Sequence, residues 1–126
     1  MSVSAPYLES VRELLAFVPE LAVRRMFGGA GVSSGGIMFA IVDDDELWLK
    51  ADDESRGLFE AEGLEQFTYP MKAGEMMPMA YWRAPADVWD DHDAARRWTT
   101  LALEAALRSK GKKAKPKAAK KAKTKG

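Results

Sequence analysis

The sequence predicts an α+β two-layer sandwich: a five-stranded, mainly antiparallel sheet with helices on one face, in the order α-β-β-β-α-β-β-α. Three observations carry this. Apolar residues recur at three- and four-residue spacing near both ends of residues 1–108. Between them lie short alternating or continuous apolar runs of strand length. Gly, Pro and Asp clusters separate those runs. The 126 residues suit one domain with a modest core.

Ser4 is placed to N-cap a first helix, with Pro6 in its first turn. Tyr7, Leu8, Val11, Leu14, Leu15 and Val18 form its apolar face, and Pro19 stops it near Phe17 or Val18. Ala22 to Phe27 alternates as a strand, with Val23, Arg25 and Phe27 on one side and Arg24 and Met26 on the other. Glycines follow at 28, 29, 31, 35 and 36. They read as a bulge and a hairpin turn, with an anion-binding nest of N–H groups as the competing reading. The stretch lacks the Gly-Lys-Ser/Thr ending of a phosphate loop and the Gly-x-Gly-x-x-Gly register of a dinucleotide fold. Gly36 to Val42 is a central strand, Asp43-Asp44-Asp45 a turn, and Glu46 to Ala51 the next strand.

Asp52 or Asp53 then caps a short helix containing Leu58, Phe59 and Ala61, and Gly63 ends it. Glu65 to Tyr69 and Met77 to Arg83 are the last two strands, bounded by Pro70 and Pro85. Asp87 or Asp91 caps a final helix, Asp93 to Arg108. Ala94, Trp98, Leu101, Ala102 and Ala105 form its buried stripe, and Arg96, Arg97, Glu104 and Arg108 face outward. Residues 1–108 are thus the folded domain. Residues 109–126, rich in Lys and Ala and without a large apolar side chain, are expected to be a disordered basic tail.

The zero net charge hides a segregation. Nine of the 19 basic residues follow Ser109, so the 19 acids face only ten Lys and Arg in residues 1–108, a balance of −9 against +9. The tail lysines are Lys110, Lys112, Lys113, Lys115, Lys117, Lys120, Lys121, Lys123 and Lys125. They are suited to non-specific DNA contact through phosphate neutralisation, with solvation or folding back onto the acidic body as the competing reading. No apolar run reaches the ~18–20 residues that span a bilayer, and Met1 to Ser4 lacks the features of a secretory signal. With no cysteine, the chain is compatible with a reducing compartment, and a cytoplasmic location is expected.

Catalysis is not expected. His92 is the only histidine, flanked by Asp91 and Asp93 at a helix start. Asp43-Asp44-Asp45 lacks the spacing of a calcium loop, and Ser33 and Ser34 have no nearby base. Neither a metal nor a cofactor is expected. The candidate site is an anion- or partner-binding glycine corner, made of Arg24, Arg25, Gly28, Gly29, Gly31 and Lys50. Cross-strand pairing of these cations with acids such as Glu46 is the alternative. Trp48, Trp82, Tyr69 and Tyr81 resemble a base-stacking set in type, but the acidic body opposes phosphate and favours packing.

Arg25-Met26-Phe27-Gly28-Gly29-x-Gly31, Met38-Phe39-Ala40 and Leu47-x-Leu49-Lys50-Ala51-Asp52 together resemble the N-terminal domain of the TfoX/Sxy bacterial competence regulators. Phe67-x-Tyr69 and Met79-x-Tyr81-Trp82-x-x-Pro85 are similar to the second half of the same pattern. The resemblance covers roughly residues 5–108. It implies a secretion-chaperone-like α+β fold and a regulatory role, since the family acts with the cyclic-AMP receptor protein on competence genes. Its members typically carry a second, helical domain where this sequence has its lysine run. The expected function is therefore a non-enzymatic regulatory or interaction domain with a protein partner, tail-mediated DNA affinity and no membrane contact; a homodimer through an uncovered sheet face is a further option. The alternative is a small anionic-ligand-binding or enzymatic domain with its site at the glycine corner.

Overall fold

The computed structural model describes residues 3–26, 28–71 and 74–122, with side chains described through Gly111. The elements are α1 (Ala5–Leu14), β1 (Leu21–Met26), β2 (Gly29–Ser34), β3 (Ile37–Asp43), β4 (Glu46–Lys50), α2 (Arg56–Ala61), β5 (Gln66–Pro70), β6 (Met76–Arg83), a 3₁₀ turn (Ala86–Trp89) and α3 (His92–Ala122). The fold is the expected α+β sandwich. Its sheet has six strands rather than five, all antiparallel, in the order β1-β2-β3-β4-β6-β5.

The extra strand is β2, within the stretch read as one glycine corner. Gly28, at φ 81°, turns the chain out of β1, and Gly35 and Gly36, at φ 57° and 85°, turn it into β3. Two successive positive-φ residues in a two-residue loop suit the right-handed twist of a hairpin. Between these turns Ala30 and Val32 alternate inward and are almost wholly buried, so burial sustains a strand whose glycines have little strand preference. Asp44 and Asp45, at φ 55° and 54°, repeat the same device between β3 and β4.

Ser4 caps α1 as expected: its Oγ accepts from the Tyr7 N–H at 3.2 Å. The helix ends at Leu14, earlier than Phe17 or Val18, yet Leu15 and Val18 still reach the core. Asp91 accepts from the Asp93 N–H at 2.9 Å and opens α3. The helix passes the expected end at Arg108, and its backbone is helical through Ala122. Alanine and lysine are strong helix formers, which favours this continuation against Gly111 and Pro116. Phe27, Lys123 and Lys125 lie outside the described residues, as do the side chains of the tail lysines from Lys112 onward.

One face of the sheet carries the main core. Leu8, Val11 and Leu15, Phe59 of α2, and Trp98, Ala102 and Ala106 of α3 pack onto Ala30, Val32, Ala40, Val42, Leu47, Leu49 and Trp82. α3 lies across β3 and β4, and α1 lies against β1. A bulge adjusts this face. Val32 pairs with Ala40 and Ser33 with Met38, which leaves Phe39 as the extra residue of β3. Phe39 and Ala40 both enter the helix-side core, while Met38 turns to the opposite face. Arg108, expected to face solvent, instead donates to Asp52 from Nε at 2.6 Å and from Nη2 at 2.9 Å, tying α3 to the segment after β4.

Candidate functional site on the open sheet face

Among the described residues, helices cover only one side of the sheet. The opposite side carries a second apolar cluster of Trp48, Phe67 and Tyr81, with Met38, Ile41 and Met79 packed beside it. The Trp48 and Phe67 rings meet edge to face at 5.0 Å between centroids. Such a contact joins neighbouring parts of the sheet through the ring quadrupoles as well as through buried area. The Arg83 guanidinium lies over Trp48 at 5.2 Å and pairs with Glu65 at 2.9 Å, while Lys50 Nζ sits 5.1 Å from the centre of Tyr81. Burial raises the Tyr81 phenol above its ordinary range. These aromatics are therefore packed and capped by cations, as the acidic body suggests, rather than laid out for base stacking.

Beside the cluster is a groove of about 370 Å³. Met26, Met38 and Ile41 line one side, and Phe67, Tyr69 and Met79 the other. Among the described residues the sole charged side chain in its lining is Asp43. Gly31 makes the first wall possible. A methyl group on Gly31 would come within 2.7 Å of Met38 Sδ and 2.8 Å of Met26 Cε, so the bare backbone leaves room for two methionines. The β5–β6 hairpin forms the second wall. β6 pairs with β4 only from Tyr81 to Arg83, and toward Met76 it pairs only with β5. Tyr69, Met71, Met76 and Met77 along that arm are all more than two-fifths exposed.

The six residues expected to form one site are divided among several places. Arg24 is exposed on the edge strand β1, opposite Gly31. Arg25 projects to the helix side and donates to the Val3 carbonyl at 3.2 Å, which fixes the N-terminal segment. Gly28 is a turn residue. Gly29 abuts the Val42 backbone and lines the groove, whereas Gly31 lies beneath the methionines. Lys50 is at the far end of β4 from Leu47, the partner of Val42. It therefore neighbours Gly36 rather than Gly28 or Gly29, in a separate cavity of about 310 Å³ shared with Tyr81, Ser109 and Lys110.

Sequence reading did not find the groove. Met26 and Met38 do share a face in the structure, but the bulge at Phe39 is what brings Met38 there. The available signal was compositional: the methionines at 26, 38, 71, 76, 77 and 79 all fall in strands or at strand ends. Other chemistry-bearing residues have structural roles. Ser34 Oγ donates to the Pro19 carbonyl at 2.7 Å, and Asp45 accepts from the Ser4 N–H and hydroxyl at 2.9 and 3.2 Å. Among the described residues no cluster of His, Asp and Glu has the arrangement of a metal site, and no helix is long and apolar enough to cross a membrane.

Comparison with known proteins follows the same outline. The family model described as the TfoX N-terminal domain matches residues 13–106, from within α1 to near the last buried turn of α3. Protein Sxy of Escherichia coli (strain K12) is 28% identical over 109 residues, covering 86% of this chain and 52% of that protein. The chain thus spans about half the length of this curated relative.

Proposed function

The chain belongs to the TfoX N-terminal domain family, and from that premise we propose that it is a non-enzymatic regulatory domain, of the competence or transcription type, that acts by holding a protein partner on its open sheet face. The observation that carries this is the apolar groove between β1–β3 and the β5–β6 arm, on the side no helix covers. Apolar surface of this kind, bordered by polar side chains, is what protein recognition uses. The lysine run from Lys110 to Lys125 adds non-specific nucleic-acid affinity, because each phosphate it neutralises releases a counterion. The matched family region ends before this run, so the tail is an addition to the family domain.

The test has two arms. Fluorescence anisotropy with duplex DNA across a salt series should show binding that weakens steeply with salt in the full chain and is lost on truncation after Gly111. Unchanged binding after truncation would refute the tail's role. On the other arm, Met38→Glu should abolish capture of the regulatory partner while leaving DNA binding intact. Retained capture would refute the open-face assignment.

A second reading, a site for a small anionic ligand, is favoured by the cavity holding Lys50, Ser109 and Lys110 beside the Gly36 turn. A rise in melting temperature with inorganic phosphate or a dicarboxylate, abolished by Lys50→Ala, would support it. No shift with either would reject it.

A further inference from the structure

Resting on the reading that the open face is the binding surface, we infer the class of partner: a basic amphipathic segment of another protein, its apolar side seated in the groove and its cations meeting Asp43. Three observations point to a segment rather than a small molecule or a second folded face. The apolar surface does not end at the groove, because Tyr69 and its cross-strand partner Met77, both exposed, continue it along the arm. A ligand that covers both must be elongated. Three thioethers line the groove, from Met26, Met38 and Met79. Methionine side chains are unbranched and polarizable and repack around differing apolar shapes, as a peptide-accepting surface requires. The groove's volume of about 370 Å³ is enough to seat several apolar side chains.

Charge then selects the sign. Among the described residues the one charged side chain in the lining is Asp43; Arg83 and Lys50 on the same face are engaged over Trp48 and Tyr81, Arg24 stands out on the edge strand, and residues 1–108 carry 19 acids against ten basic residues. Complementary potentials steer encounters and set register, so the flanks of the segment should be Lys or Arg. The chain's own lysine run has the right sign but contains only Gly, Lys, Ala, Pro and Thr after Lys110, with nothing to fill an apolar groove.

The experiment uses the full chain labelled with ¹³C at its methionine methyls. The probe is an eighteen-residue peptide of Leu and Lys with helical periodicity, compared with a scrambled Leu/Lys peptide, a periodic Leu/Glu peptide and a periodic Leu/Gln peptide. The expected result is that the periodic Leu/Lys peptide shifts the Met26, Met38 and Met79 methyls and binds about tenfold more tightly than each comparison peptide. Met79→Glu should weaken it by about tenfold, and Asp43→Asn by a few-fold, in variants whose melting temperatures match the parent. Equal binding of the Leu/Gln or Leu/Glu peptide at these methyls overturns the basic class while leaving the open-face reading standing. Equal binding of the scrambled peptide overturns the amphipathic requirement. If no peptide moves these methyls, both the inference and the reading beneath it fail. Concentration-dependent shifts without peptide, with a dimer mass by light scattering, would make a second copy the occupant and overturn the proposal.

Discussion

Asp52 is where the C-terminal helix is anchored. Its carboxylate accepts from Arg108 Nε and Nη2 at 2.6 and 2.9 Å, and from the Glu54 N–H, Ser55 N–H and Ser55 hydroxyl at 3.1 to 3.2 Å. The Arg108 hydrogen bonds, foremost, hold this carboxyl well below the usual carboxylate range, with its Coulombic attraction and Ser55 adding to them against the cost of burial. A depressed folded-state pKa stabilises the protein above the unfolded value of about 4 and loses that stabilisation as pH falls through the folded value. Asp52→Asn should therefore lower stability near neutral pH, and the gap from the parent should close on acidification below about pH 4. Melts at several pH values check this, and a constant gap would contradict it. Charge-assisted hydrogen bonds of this kind contribute about 1.5–3 kcal/mol, so Arg108→Met should show a loss of that order. Two glycines offer a sharper contrast. Gly29→Ala would drive a methyl into the Val42 carbonyl, which is fixed backbone, and should cost about 1–3 kcal/mol as overpacking. Gly31→Ala meets only the mobile ends of Met26 and Met38, so it should change stability less but displace both methionine methyls. Urea midpoints and methyl spectra of the two variants separate these outcomes.

Among the elements, β3 shows how one extra residue assigns the two faces. Phe39 is fully buried on the helix side because the bulge turns it there, and the same bulge sends Met38 to the open face. Phe39→Ala should cost about 3–5 kcal/mol, the range for emptying a buried aromatic site, and should lower the urea midpoint without altering the slope. A loss below 1 kcal/mol would mean that the bulge is not a packing device. This element also marks the limit of what could be read beforehand. Gly36 to Val42 is nearly all apolar, so alternation could not say which side chains pointed where or that one was out of phase. The helices and the later strands were legible because Ser4, Asp91, Pro70 and Pro85 punctuate clear periodic runs. The strand β2 was hidden because glycine-rich sequence carries little strand preference, although the Gly28-Gly29 and Gly35-Gly36 pairs stand one strand length apart around Ala30 and Val32. The candidate site was less legible still. Its walls come from strands far apart in sequence, and Arg24, Arg25 and Lys50 fell on different faces and ends of the sheet.

Across the whole molecule, acidic and basic charge are separated along the chain, and this separation should govern its response to salt. Residues 1–111 hold 19 acids and 11 basic residues, a net charge of −8, whereas the full chain is neutral. A compact body with a large net charge repels itself, and added ions screen that repulsion over a Debye length of about 10 Å at 0.1 M salt. In the full chain the lysine run instead supplies attraction toward the acidic body, which the same ions weaken. Truncation after Gly111 should therefore produce a domain whose melting temperature rises with salt, by roughly 4–8 °C for each kcal/mol of repulsion relieved. The full chain should show a flat or falling trend over the same range. Thermal melts followed by circular dichroism, from low salt to several tenths molar, decide between these slopes. Parallel curves would mean that the basic run and the acidic domain do not interact electrostatically. The lysines would then be fully available to nucleic acid even without competing phosphate, and the salt dependence of DNA binding would report tail–phosphate contacts alone. Diverging curves would instead make DNA a competitor for a tail already attracted to its own domain, and the apparent DNA affinity would include the cost of releasing it.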